Sequence, residues 1–468
     1  MYICASKLNK AWITKLFQYV LETISQKDLT LKLNNRIMRA FNPELMHPSD
    51  QITLIIDRIY KRGLTTTSGG NISIIDDSGD IWVTPAAVDK GSLQRDDIVQ
   101  VKSDGTQVGR HKPSSEFPFH KAIYECRPDI KAIIHAHPPA LVSFSVARQI
   151  PNTNIIPQAR NVCGPIAYAP YALPGSSELG ERIAKEFKNN YNAVIMENHG
   201  TVVGGTDLSD AFQRFETLEF SGRTIINGKT IGEPVYLSDE DIKNFEEQIP
   251  HLQPEMEHVT HPSDERDIRE FMVSMVKRAC EQGLMISSYG TISVRWREDD
   301  FLITPTNMSR WDIQREDIVQ IRNGKREPDK MPSRGLWLHQ EIYRRNPKVN
   351  SIIITQSPYL MAFGVTGEKF DVRTIPESWI FLQDVPNVPF GSHFRDKNTI
   401  LNLVEEDISC IIIENDSVLV TGNALLDAFD RLEVAEFSAK SLTMSQPLGK
   451  LNPINEEQIR ELRKKFLS

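Results

Sequence analysis

The chain repeats itself, and no other feature narrows its possible folds so far. SGGNIS at 68–73 recurs as SYGTIS at 288–293, and IWVTPAAVDKGSLQRDDIVQV (81–101) recurs as FLITPTNMSRWDIQREDIVQI (301–321), both 220 residues further on. PSSEFPFHKAIY (113–124) meets PSRGLWLHQEIY (332–343) at an offset of 219, and ENHGTVVGGTDLSDAFQRFETLEFS (197–221) meets ENDSVLVTGNALLDAFDRLEVAEFS (414–438) at 217. HPSD opens both copies, at 47–50 and 261–264. The 468 residues are too many for one ordinary core. They divide into an extension (1–44), a first copy (45–248), a Pro/His/Glu-rich linker (249–262) and a second copy (263–460).

Within one copy the pattern is mixed. A helix over about 50–62 ends at Gly63, and alternating strands at 71–75 and 81–84 flank a DDSGD turn that favours a hairpin. A helix starts near the PSSE of 113–116, with Ser114 or Ser115 as its N-cap. Apolar strands at 131–135 and 192–196 precede a long helix over 207–225. The expectation is a three-layer α/β/α domain with a central, mostly antiparallel sheet, present twice.

The strand at 131–135 runs into KAIIHAHPPA. Side chains alternate faces along a strand, so His135 and His137 share one side, as two ligands of a divalent metal would. Alone, such a pair fits ordinary strand-end histidines equally well. A third ligand comes from ENHG, where His199 follows the apolar run AVIM and Gly200 permits a sharp turn. Glu116, at a helix start beside two serines, supplies a carboxylate able to carry a proton. Three histidines with an acid describe an open zinc site.

The second copy acts as an internal control. Opposite Glu116, His135, His137 and His199 stand Gly335, Ile354, Gln356 and Asp416, so all four chemical positions are lost together. Structural histidines have no reason to vanish in step with a distant glutamate. His120 keeps a counterpart in His339 and reads as structural, and Trp311 and Trp337 read as packing residues.

Composition excludes other classes. A net charge of -8 gives no reason to expect nucleic acid. Five scattered cysteines without a CxxC pair suit reduced thiols and a cytoplasmic location. No run of about 18 apolar residues predicts a membrane span, and residues 1–44 read as an amphipathic helix or loose extension in preference to a membrane-surface helix. GxSxG, Walker A and strand-linked GxGxxG motifs are all missing.

Taken in order, SGGNIS, VTP, PSSE, HAHP, APYALPG and ENHG resemble the class II aldolase/adducin family, which includes fuculose- and rhamnulose-phosphate aldolases and ribulose-phosphate 4-epimerases. The likeness is strong over 47–230 and weaker over 261–440. It implies a Zn²⁺ or other divalent ion on His135, His137 and His199, with Glu116 as acid/base. It also implies a phosphate held by Asn71, Ser114 and Ser115. One departure stands out: after Thr84-Pro85 the chain has Ala86-Ala87, where the sugar-phosphate aldolases usually carry Ser/Thr-Gly. Tyr171 lies in a family segment near the site. The resemblance implies a lyase for a small sugar-derived substrate, aldolase or decarboxylase. An epimerase or dehydratase on the same metal and an adducin-like assembly protein are the alternatives. It also implies a homo-oligomer, either a tetramer or a dimer acting as a pseudo-tetramer.

Overall fold

The computed structural model describes residues 45–248 and 253–467. The expectation for residues 1–44 therefore lies outside the described residues. The first copy begins with α1 (Pro48–Lys61), then β1 (Asn71–Ile75), β2 (Ile81–Val83), β3 (Val99–Val101) and β4 (Gln107–Val108). There follow α2 (Phe117–Cys126), β5 (Ala132–Ala136), α3 (Pro139–Val146), α4 (Pro157–Cys163), β6 (Ala167–Ala169) and α5 (Ser177–Lys188). The copy closes with β7 (Ala193–Met196), β8 (Gly200–Gly205), α6 (Leu208–Ile231) and α7 (Asp239–Glu246).

The second copy repeats the plan with α8 (Ser263–Gln282), β9 (Thr291–Arg297), β10 (Asp300–Ile303), β11 (Val319–Arg322), β12 (Lys325–Arg326) and α9 (Leu336–Arg345). Next come β13 (Ser351–Thr355), α10 (Leu360–Thr366), α11 (Pro376–Leu382), β14 (Asn387–Val388) and α12 (Lys397–Glu405). It ends with β15 (Cys410–Ile413), β16 (Ser417–Gly422), α13 (Leu425–Ser445) and α14 (Glu456–Phe466).

Each copy builds one eight-stranded sheet in the same order, β4-β3-β2-β1-β5-β8-β7-β6 and β12-β11-β10-β9-β13-β16-β15-β14. Every pairing is antiparallel except β6 with β7 and β14 with β15. Both faces of the first sheet are covered, and the period of two along a strand decides which side chain goes where. Ile133, Val194 and Met196 pack with Phe119, Ile123 and Ile183 on the α2/α5 side. Their neighbours Ile134 and Ile195 pack with Ile52, Phe212 and Phe215 on the α1/α6 side. The α/β, three-layer expectation therefore holds in both copies.

Two elements differ from the sequence reading. The long helix, expected to stop at 225, continues to Ile231, because Phe220 and Ile225 bury against the second copy in a shared core with Met272, Met361 and Phe363. The helix after PSSE has Glu116 at its N-cap position and no side-chain cap, so neither serine caps it. Ser114 Oγ instead accepts the N–H of Glu116 at 3.3 Å. The two copies are also tied by polar contacts. Buried Glu216 accepts from Arg62, from Trp311 Nε1 at 3.0 Å and from the Ser287 N–H at 3.2 Å. Among the described residues no helix is long and apolar enough to cross a membrane.

Candidate metal centre

Strand β5 carries His135 on the same face as Ile133, the α2 side, directly opposite Asn71 of β1. His135 is fully buried. Its Nδ1–H donates to the carbonyl of Thr201 at 2.9 Å, which fixes the ring and leaves the Nε2 lone pair exposed to the site. His137, one turn of the pleat further on, brings its own Nε2 to 3.1 Å from that atom.

His199 reaches the site through the turn between β7 and β8. The left-handed residue of that turn is Asn198, at φ 53°, and not Gly200 as the sequence suggested. Asn tolerates this conformation because its short side chain bonds locally, and Asn415 repeats it at φ 51° in the second copy. Gly200 is required for a different reason: a Cβ there would lie 2.6 Å from the Ala136 carbonyl oxygen and 2.7 Å from His137 Cδ2. Ser145 steadies the loop, accepting from the His199 N–H at 2.9 Å and donating to the Met196 carbonyl.

Glu116 closes the group, with Oε2 at 3.1 Å from His135 Nε2 and Oε1 at 3.3 Å from His199 Nε2. A chain of hydrogen bonds behind it sets its orientation. Tyr124 OH and His120 Nδ1 each lie 2.7 Å from Ser73 Oγ. His120 Nε2–H donates to Asn71 Oδ1, and Asn71 Nδ2 then donates to Glu116 Oε2 at 2.8 Å. His120 thus does more than fill space, since it dictates which end of the Asn71 amide faces the carboxylate. Sequence reasoning missed that role. Ser114 is buried beside Glu116, whereas Ser115 and Tyr171 are exposed, the latter with its N–H on Glu197 Oε2 at 3.0 Å.

The electrostatics suit a cation. Burial, reinforced by the neighbouring imidazoles, holds His137 down to about 4; burial and the nearby His135 hold His199 down to about 4. Both are therefore neutral ligands at neutral pH. Burial pushes Glu116 toward its neutral form, but His135, His199 and the Asn71 amide more than offset this and keep the carboxyl below its usual range. The Nε2 atoms of His135 and His137 face each other at 3.1 Å, which requires a cation or proton between them, and Glu116 Oε1 is buried with no hydrogen-bond donor among the described residues. The nitrogens of His135, His137 and His199 lie within 4.8 Å of one another, the only such ligand group among the described residues. Two ligands on a tetrahedral zinc with Zn–N of about 2.0–2.1 Å stand about 3.3 Å apart, close to what His135 and His137 already show. The donor set fits a divalent metal.

At the same place the second copy keeps the scaffold and loses the donors. Ser293 Oγ bonds His339 Nδ1 and Tyr343 OH, each at 2.6 Å, just as Ser73 serves His120 and Tyr124. The relay stops there: His339 Nε2 has no partner among the described residues, and Thr291, in Asn71's position, turns to Ser333.

With the fold and site in hand, comparison with known proteins is direct. The sequence model of the Class II Aldolase and Adducin N-terminal domain matches residues 50–226 and 270–443. The chain belongs to this family and carries its domain twice. Over 170 residues it is 34% identical to the 3-oxo-tetronate 4-phosphate decarboxylase of Pectobacterium atrosepticum, covering 36% of this chain and 78% of that protein. Over 180 residues it is 35% identical to the L-fuculose phosphate aldolase of Methanocaldococcus jannaschii, covering 38% of this chain and 95% of that one. A solved structure of L-fuculose 1-phosphate aldolase is 31% identical, covering 42% of this chain and 93% of its own, with a TM-score of 0.39.

Proposed function

We propose that the first copy is a zinc-dependent lyase that breaks a C–C bond in a small sugar-derived substrate, a ketose phosphate or a related keto acid. The observation that supports it most is the convergence of His135, His137 and His199, with His135 and His199 against the Glu116 carboxylate, a group buried in the first copy and missing from the second. His135, His137 and His199 would hold a divalent ion, which would supply a Lewis acid for the carbonyl oxygen next to the bond that breaks. Glu116, ionised at neutral pH, takes the hydroxyl proton in aldol cleavage while the C–C electron pair passes toward the carbonyl, and it then returns a proton to carbon. Asn71 holds the carboxylate in place for both transfers. Ser114, Ser115 and Asn71 are the proposed phosphate contacts.

Decarboxylation needs the same electron sink, but no hydroxyl proton has to be removed. Likeness to the Pectobacterium enzyme makes it the second reading. Ala86-Ala87 bears on the substrate. Ala87 sits at φ 56°, the left-handed conformation that suits glycine, so the loop keeps its shape without the hydroxyl or the glycine of the sugar-phosphate aldolases. The test is a screen of phosphorylated and unphosphorylated keto sugars and keto acids with zinc-loaded enzyme. Release of aldehyde or of carbon dioxide is expected, reduced at least about 100-fold in Glu116→Ala. Turnover that Glu116→Ala leaves intact would overturn the assignment.

The second part of the proposal is a homodimer that acts as a pseudo-tetramer in the cytoplasm. On α6, Phe220 is 4% exposed and Asn227 bonds the Pro358 carbonyl, because α10 of the second copy covers that face. On α13 the equivalent Phe437 is 64% exposed and Met444 is exposed beside it. Repeating the α6–α10 contact between chains, α13 on a partner's α3, closes a ring of four copies. Sedimentation should give a dimer; a stable, fully active monomer would sink this part.

A further inference from the structure

The second copy lacks the three histidines and the glutamate, yet it is not filled in at their positions. Where the first copy has its metal centre, it holds a cavity of about 560 Å³, a volume that binds small metabolites and that close-packed interiors do not leave unused. Trp337, read from sequence as a packing residue, lines it. Its walls come from both copies: Gln158 and Asn161 of α4, with Phe245 of α7 and Gln248 just after it, close the second copy's side of the pocket.

The lining holds two chemically distinct groups. One consists of Arg334, Arg310, Ser333, Thr306 and Asn307. Their first-copy counterparts are Ser115, Lys90, Ser114, Ala86 and Ala87, so this copy has gained a cation, a hydroxyl and an amide where the other has serine and two alanines. Arg334 lies over the Phe245 ring at 5.1 Å and pairs with no carboxylate among the described residues. The Arg310 side chain, 2% exposed, bonds the carbonyls of Gly290 and Met308, each at 2.8 Å, and no other group among the described residues. Burial lowers it to about 10, so it stays charged at neutral pH. Two guanidinium groups without counterions, flanked by hydroxyls, suit an oxyanion.

The second group consists of acceptors. Gln158 (6% exposed) and Gln356 (3% exposed) donate to Asp416, at Oδ1 (3.2 Å) and at its carbonyl (2.7 Å), and each keeps a buried amide oxygen with no donor. Asp416 Oδ2 accepts from Ser417, and His393 Nδ1 stands 3.7 Å from it without a hydrogen bond of its own. Ligand hydroxyl groups would fill these vacant acceptors.

We propose that this cavity is a second small-molecule site, which binds a phosphorylated polyol or sugar without a metal. The phosphate lies at Arg334 and Arg310 and the hydroxyls at Gln158, Gln356 and Asp416, so that the ligand bridges the two copies. The proposal does not depend on the reaction assigned to the first copy.

The test is calorimetric titration of the full chain carrying His135→Ala, which removes a ligand of the first-copy centre. Ribulose 5-phosphate and glycerol 3-phosphate are the probes, with ribulose and gluconate as controls. One equivalent of a sugar phosphate binding with a Kd of about 1 mM or tighter is expected, weakened at least about tenfold by Arg334→Ala. Arg334 is exposed, so its truncation leaves the core intact; Gln158→Leu gives a second, independent loss. Absence of binding by both phosphates, affinity unchanged in Arg334→Ala, or gluconate binding as tightly as the phosphates would each overturn the proposal.

Discussion

Strands β5 and β13 leave the same sheet position in the same fold and end in different chemistry. KAIIHAHPPA brings His135 to the Glu116 carboxylate with His137 beside it; NSIIITQSPY delivers Ile354 and Gln356 to a cavity. Behind both lies the same Ser–His–Tyr bracket, Ser73–His120–Tyr124 and Ser293–His339–Tyr343. The difference separates what the fold requires from what the chemistry requires. The bracket persists where no donor is left to orient, so it serves the fold first; Asn71 couples it to the site only in the first copy.

Several substitutions put that division at risk. The greatest contrast is expected between His137→Ala, which lowers turnover at least about 1000-fold, and Gln356→Ala, which leaves it within about twofold; equal losses in steady-state assays would end the distinction between the copies. Glu116→Gln should keep its metal while kcat falls by about 10²–10⁴-fold, and loss of the metal along with kcat would show that the carboxylate is needed to hold the ion.

The brackets predict equivalence. His120→Ala and His339→Ala should each destabilise the chain by about 1–3 kcal/mol in urea denaturation, since each leaves a buried serine–tyrosine pair short of a partner. Only His120→Ala should also lower kcat, because only there does the chain continue to Asn71 and Glu116. His339 further predicts a pH dependence. Burial holds it at about 3 in the folded protein, against 6.5 in the unfolded chain. The folded state binds fewer protons in that window, so stability present above pH 6.5 is lost as pH falls toward 3. His339→Gln should flatten that slope, and an unchanged slope would contradict the burial argument. The smallest effect is expected at Ala87→Gly. Relief of the left-handed alanine, at about 1–2 kcal/mol, is largely offset by the flexibility that glycine adds to the unfolded chain, leaving a gain below about 1 kcal/mol. A loss of stability would show that the methyl group packs usefully.

Much of this was legible in the sequence because it repeats. Fixed offsets exposed the two copies, and alternate positions in HAHP together with ENHG pointed to three imidazoles that meet in the fold. What stayed hidden was non-local or conformational. No local pattern links Asn71, Glu116 and His120, which meet only when β1 pairs with β5 and α2 crosses above them. Gly200 looked like the turn residue because glycine is the usual left-handed one, yet Asn198 takes that role. Trp337 looked like packing because aromatic residues usually are, and the cavity beside it needs walls from α4 and α7, over 100 residues away in the chain for α4. The short α7, next to the linker, buries only Ile242 and Phe245, too few apolar residues to stand out from a polar surface segment.

Metal content tests the central claim most directly. Elemental analysis of the purified chain should find about one divalent ion per molecule, less than about a tenth in His135→Ala, and the full complement in Gln356→Ala. Less than about half an equivalent in the unaltered chain, or undiminished metal in His135→Ala, would contradict a single metal centre in the first copy.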